Sequence, residues 1–128
     1  MRYSEPAGAA AAKLAVNTLL LDGMVALCEA VAVGRAGRLT DGQLRELLGS
    51  SPMVAPGWKN RLEGVLSGDQ EPWWSAVLGA KDARLAMELA AVAGVELPET
   101  GAARRQYERL GERDEGADIA AVTNLYRR

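Results

Sequence analysis

Residues 8–34 form the longest apolar run in the chain, rich in Ala, Leu, Val and Met. Only four charged or amide side chains interrupt it: Lys13, Asn17, Asp22 and Glu29. Ala and Leu are the strongest helix formers and no proline breaks the run, so it predicts one helix of roughly 40 Å. Its apolar residues occupy almost every angular position, the pattern of a rod enclosed by other helices. Lys13 and Asn17 lie four apart and therefore share a face. A cation and an amide set together on an apolar rod make them the first candidates for chemistry.

The remaining pattern is helical throughout. Pro6 sits near the first turn of the long helix, while Gly34 and Gly37, with Arg35 and Arg38 beside them, mark its end. TDGQ at 40–43 reads as a capping box opening a second helix, with Leu44, Leu47 and Leu48 on one face and a stop at Gly49. Two prolines make 50–56 a loop. Trp58, Leu62, Val65 and Leu66 then give the i, i+4, i+7, i+8 face of a third helix from about Gly57. After a break at 67–72, a fourth helix runs from Trp74 or Ser75 to Gly94, with Leu78, Leu85, Met87, Leu89 and Val92 expected on its buried side and Lys81, Asp82, Arg84 and Glu88 polar. Pro98 and Thr100 introduce a fifth helix to about Leu110, with Tyr107 and Leu110 facing inward. A polar turn follows over 111–117, and Asp118 caps a last helix ending in Arg127 and Arg128. No stretch alternates with period two. The expectation is an all-α bundle of about six helices around the long N-terminal one, with 1–7 an irregular lead-in and 8–128 one domain.

A chain of 128 residues can bury a core without staples. Its net charge of −2, pI near 5.2 and scattered arginines exclude a nucleic-acid interface. With no histidine and one cysteine, zinc and most redox-metal sites are excluded, as is an intrachain disulfide. Cys28 has no adjacent base and reads as a small buried hydrophobe. Asp114, Glu115 and Asp118 read as a solvated turn and a cap in preference to a cation site. Lys13, Asn17 and Asp22 interrupt the apolar run too early for a signal peptide or membrane span, so a cytoplasmic protein without a membrane partner is expected.

Several segments together resemble one family. GAAAAKLAVNTLLLDGMVALCEAVAVGRAG is similar to the opening of the C-terminal domain of the β-hydroxyacid dehydrogenases, a group that includes 3-hydroxyisobutyrate dehydrogenase and, more remotely, 6-phosphogluconate dehydrogenase. That pattern has a glycine, small residues, K-x-x-N-N-x-L-L, and then an acidic-Ala pair. EPWWSAVLGAKDARLAMELAAVAGVELP resembles the family's P-x-F-x-L-x-L-x-x-K-D-L-x-L-A run, and ADIAAV its closing D-x-S-A segment. The motifs fall in the family's order over nearly all of the chain after Pro6.

The resemblance implies that Lys13 is the catalytic lysine, that Asn17 binds substrate, and that Lys81 approaches the nicotinamide or ribose side of NAD or NADP. Desolvation of a lysine in apolar surroundings would suit it to acid/base work, and an amide one turn away can hold the same substrate. Read without the family, Lys13 could instead snorkel to solvent, Asn17 bond a loop, and Lys81 pair with Asp82 or Glu88. Trp73 and Trp74 read as core or interface anchors. Val16 stands where the family has the first asparagine of its pair, residues 50–56 replace a Gly-x-Ser-Trp-type loop, and Ala120 replaces a serine. The sequence also has no G-x-G-x-x-G and no βαβ pattern, so hydride transfer is expected only with a separate Rossmann domain. The function so implied is that of a helical substrate-binding and dimerisation domain of an NAD(P)-dependent β-hydroxyacid dehydrogenase, forming a homodimer. A non-enzymatic interaction module with the same fold is the alternative, and an unrelated bundle a third. Imine reductases share the architecture but usually carry a different residue at the position of Lys13.

Overall fold

The computed structural model describes residues 6–127. In order they form α1 (Pro6–Ala36), α2 (Asp41–Gly49), α3 (Pro56–Ser67), α4 (Ala76–Val92), α5 (Pro98–Arg113) and a terminal 3-10 helix (Ile119–Tyr126). Among the described residues there is no strand, only an isolated antiparallel bridge between Ser75 and Asp118. The all-α expectation holds. Helix α1 begins at Pro6, so residues 6 and 7 are helical and the rest of the expected lead-in lies outside the described residues, as does Arg128.

The second half of α1 is the core element. Leu21, Met24, Val25, Leu27, Cys28 and Val31 are buried there, at helical spacing, against the other helices. The phenol of Tyr107 on α5 donates to the Leu21 carbonyl. Trp58 on α3 lies where a Cβ on Gly23 would stand, and its indole N–H donates to the Leu20 carbonyl at 3.2 Å. The expectation of a rod enclosed all round is corrected for its first half: between Ala7 and Leu20 no residue is buried, and Val16 and Leu19 are 68% and 65% exposed. Leu20 packs against the core and Asn17 reaches α4, while the side that carries Val16 and Leu19 is open to solvent. By length and mean hydropathy α1 could cross a membrane, yet its C-terminal half is the bundle's core helix.

Helix α4 packs against α1 and, most extensively, against α5. It buries Ala76, Gly79, Ala80, Ala83 and Ala86, a stripe of small side chains at i, i+3, i+4, i+7 and i+10. Their size brings the backbones close: a Cβ on Gly79 would meet Ile119 and Leu21 at 3.0 Å. The larger residues expected on the buried side are displaced outward, with Leu78, Leu89 and Val92 exposed and Leu85 and Met87 half-buried. Close approach of small residues, more than bulk, decides which face is turned in.

The helix ends follow the signals in the sequence. Thr40 and Gln43 close the capping box of α2, Pro56 opens α3, and Ser75 caps α4 by accepting from the Leu78 amide at 3.2 Å. Leu44 is buried on α2 but Leu47 is exposed. Helix α3 ends at Gly68, whose φ of 81° needs a residue without a Cβ. Arg127 donates to the Val65 and Leu66 carbonyls, so it caps the end of α3 and not the helix that it follows. Helix α5 runs three residues past the expected Leu110, and the last element is 3-10, not α.

Candidate functional site

Lys13 and Asn17 lie on the first half of α1, and Lys81 and Asp82 on the second turn of α4. The α1–α4 crossing brings all four to one open concavity of about 410 Å³. Leu20, Trp74 and Leu78 supply its apolar wall. Asn17 Nδ2 donates to Asp82 Oδ2 at 2.9 Å, and Lys13 Nζ stands 3.9 Å from the same oxygen. A carboxylate only accepts, so Asp82 fixes the orientation of the amide and leaves the second Asn17 N–H as a donor and Oδ1 as an acceptor for a ligand. Asp82 is 13% exposed and Lys13 66%. The lysine is thus steered by a well-buried carboxylate while its ammonium faces solvent. The apolar surroundings expected for Lys13 are not supplied by the described residues, which leave its side chain mostly exposed.

Lys81 is exposed and has no ion-pair partner among the described residues: Asp82 serves Lys13 and Asn17, and Glu88 pairs with Arg84 at 3.2 Å. The anticipated pairing of Lys81 with Asp82 or Glu88 is absent, which leaves its ammonium available at the rim.

The wall at Trp74 is held by the end of the chain. Asp118, buried, accepts from the Trp74 amide at 2.8 Å, from the Ala120 amide at 2.9 Å and from Arg61 Nε at 3.1 Å. The Ala76 amide donates to the Ala117 carbonyl at 2.8 Å and the Ile119 amide to the Trp74 carbonyl at 2.9 Å. Asp118 is thus a cap, as expected, and also the anchor of the segment that leads into α4. The Arg61 guanidinium lies 5.3 Å from the centre of the exposed Trp73 ring. Trp73 is therefore a surface stack, and of the two tryptophans only Trp74 packs on the core.

No cluster of potential metal ligands occurs among the described residues. Cys28 is buried beside Thr123, and burial pushes its thiol up to about 12. It is therefore inert at neutral pH.

Sequence reasoning singled out Lys13, Asn17 and Lys81, and the fold brings these three together. It missed Asp82, Trp74, Leu20 and Leu78 as parts of the same concavity. Asp82 was visible only as the second letter of the K-D pair. Its bond to Asn17 joins positions 65 apart, a relation that helical periodicity does not encode.

The comparisons with known proteins agree with this architecture. A family described as NAD-binding of NADP-dependent 3-hydroxyisobutyrate dehydrogenase matches residues 7–126. Among solved structures, a 3-hydroxyisobutyrate dehydrogenase from Salmonella typhimurium superposes with a TM-score of 0.80 at 20% identity. The alignment covers 89% of this chain and 40% of that one, so this chain spans well under half of that relative. No curated protein matches. With nearly its whole length matched, the chain belongs to the family of the helical NAD-binding domain of NADP-dependent 3-hydroxyisobutyrate dehydrogenase.

Proposed function

We propose that this domain is the helical half of a nicotinamide-dependent hydroxy-acid dehydrogenase site. The observation that carries the reading is the Lys13–Asp82–Asn17 arrangement over an open concavity, with Lys81 on its rim and without an ion-pair partner among the described residues. The second N–H of Asn17 Nδ2 donates to the substrate's hydroxyl oxygen. Lys13 takes the hydroxyl proton as the neutral amine when the alcohol is oxidised, and returns it as the ammonium on reduction. Asp82 is a positioning residue, holding the amide and the ammonium on one side of the ligand. Trp74 and Leu78 keep water from that side. The lone ammonium of Lys81 suits a ribose or phosphate of NAD or NADP, whose chemistry is to accept the hydride. The nicotinamide-binding fold itself belongs to a Rossmann domain that these residues do not form, so the helical domain alone is expected to be inactive.

The exposed apolar side of the first half of α1, with Val16 and Leu19, supports docking of such a domain. Closure over the concavity would also supply the dry surroundings that Lys13 lacks here. Apolar surface continues along α1 at Val33, 72% exposed, which fits a homodimer. Light scattering across a concentration series tests this, and a monomer throughout refutes it. The same exposed face, with Val16 in place of an asparagine, is what favours the second reading, an interaction module without chemistry.

The deciding experiment mixes the chain with a Rossmann domain of the family and follows nicotinamide reduction over a panel of small 3-hydroxy acids. Lys13→Ala should lower the rate by about 10²–10⁴-fold. It should leave stability within about 0.5 kcal/mol, because the side chain is mostly exposed. Undiminished activity in Lys13→Ala overturns the assignment.

A further inference from the structure

A separate concavity, about 740 Å³, lies between the C-terminal part of α1 and the end of the chain. Cys28, Ala32 and Ala36 line it from α1 at i, i+4 and i+8, so its floor is low and made of small side chains. Thr123, Tyr126 and Arg127 line it from the terminal 3-10 helix and the residue after it, and Arg35 completes the wall. It shares no residue with the candidate site. Asn17 and Ala32 stand about 22 Å apart along α1 at 1.5 Å per residue.

Two guanidiniums meet at this concavity. Arg35 Nη2 donates to the Leu66 carbonyl at 2.8 Å. Arg127 Nη2 donates to the same oxygen at 2.7 Å and to the Val65 carbonyl at 3.0 Å. Capping α3 thus occupies one nitrogen of each arginine, and Asp41 Oδ1 takes Nε and Nη2 of Arg35 at 3.1 and 2.9 Å. Nη1 of both arginines and Nε of Arg127 have no acceptor among the described residues. The charges point the same way. Against two cations stand the Asp41 carboxylate and the C-terminal end of α3, which is worth about half a charge. No carboxylate lines the concavity, and Glu29 is engaged by the Tyr126 phenol, which donates to it at 2.8 Å. Two cations held at one oxygen, with too little counter-charge and unused donors, favour an anion.

We propose that this concavity is an anion site that takes a phosphate group between Arg35 and Arg127. A phosphate carries three terminal acceptor oxygens and can accept from two planar forks at once, whereas the two oxygens of a carboxylate match one fork. The floor at Cys28, Ala32 and Ala36 leaves room for a small organic group beside the phosphate. The inference is independent of the chemistry proposed at Lys13 and Asn17.

The test is an NMR titration of the 128-residue chain, isotope-labelled, with inorganic phosphate, phenyl phosphate and benzoate. Sodium chloride at about 0.15 M screens diffuse attraction. Both phosphates are expected to shift the Ala36 and Thr123 amides and the side-chain signals of Arg35 and Arg127, with benzoate several-fold weaker. Phenyl phosphate binding more tightly than inorganic phosphate assigns the floor to the organic part of a monoester, and equal affinities assign the site to free phosphate; either upholds the anion site. Arg127→Gln should weaken phosphate roughly tenfold, the loss expected for a hydrogen bond to a charged group. Ala36→Glu leaves both arginines and the α3 cap in place and should weaken it likewise, which keeps the test decisive where Arg127→Gln disturbs folding by circular dichroism. Phosphate that leaves Ala36 and Thr123 still, or that binds Ala36→Glu as tightly as the wild type, would overturn the site. Shifts of equal size around every exposed lysine and arginine would overturn it too, as unspecific attraction.

Discussion

Asp22→Asn should stabilise the protein at neutral pH and flatten its pH dependence. Asp22 projects from the middle of α1 toward the start of α5, where its Oδ2 accepts from the Thr100 hydroxyl at 2.7 Å. Its Oδ1 is buried without a hydrogen-bond partner. Burial raises the pKa of the carboxyl above the ordinary 3.8, the Thr100 hydrogen bond opposes this, and Glu99 nearby adds to the rise. The folded state therefore holds the proton more tightly than the unfolded chain. The interaction is most favourable below pH 3.8, and stability falls as pH rises through the elevated pKa to a constant penalty beyond it. An unsatisfied buried polar atom costs about 1–3 kcal/mol. Because the residue as a whole is only half-buried, solvent screening holds the figure near the low end, about 1 kcal/mol. Asparagine keeps the acceptor for Thr100 and removes the charge; its amide nitrogen takes the unpartnered place of Oδ1, so the gain is the charge's share of the penalty alone. Urea unfolding followed by circular dichroism between pH 4 and 8 should show the variant gaining on the wild type as pH rises, by roughly 1 kcal/mol at the plateau. A variant less stable at pH 7, or a difference that does not change with pH, would refute the reasoning.

Asp118→Ala removes a cap, the Trp74 amide acceptor and the partner of Arg61 together, leaving a guanidinium only 11% exposed without its counter-charge. The loss should be about 3–5 kcal/mol in thermal or urea unfolding, and a change under 1 kcal/mol would deny the anchor role. Gly68→Ala should cost about 1–2 kcal/mol in the same measurement, since φ is 81° and the new Cβ would stand 3.0 Å from the Arg127 guanidinium. Cys28 should resist a thiol reagent at pH 8 in the native protein and react at once in denaturant; rapid native labelling would show that it is neither buried nor held protonated.

Much of the fold is readable from local chemistry. The long helix, the Thr40 capping box, the proline at 98 and the cap at Asp118 each depend on a few neighbouring residues, and each appears where the pattern puts it. The identity of the inward faces was less legible. On α4 both an Ala-Gly stripe and a Leu-Val-Met side offer helical periodicity, and only the neighbours, Leu21 and Ile119 pressed against Gly79, select the former.

By itself the sequence determined an all-α chain, its helix boundaries to within a few residues, and the pair Lys13 and Asn17 one turn apart. Those properties depend on propensity, capping and a 3.6-residue period, all short-range. The tertiary structure alone decided that Asp82 orients Asn17, that Asp118 anchors the Trp74 wall, and that one apolar side of the first half of α1 is left exposed. Each of these is a contact, or a missing one, between segments far apart along the chain. Such relations are set by how helices of given widths cross, and no local pattern of residues encodes that geometry.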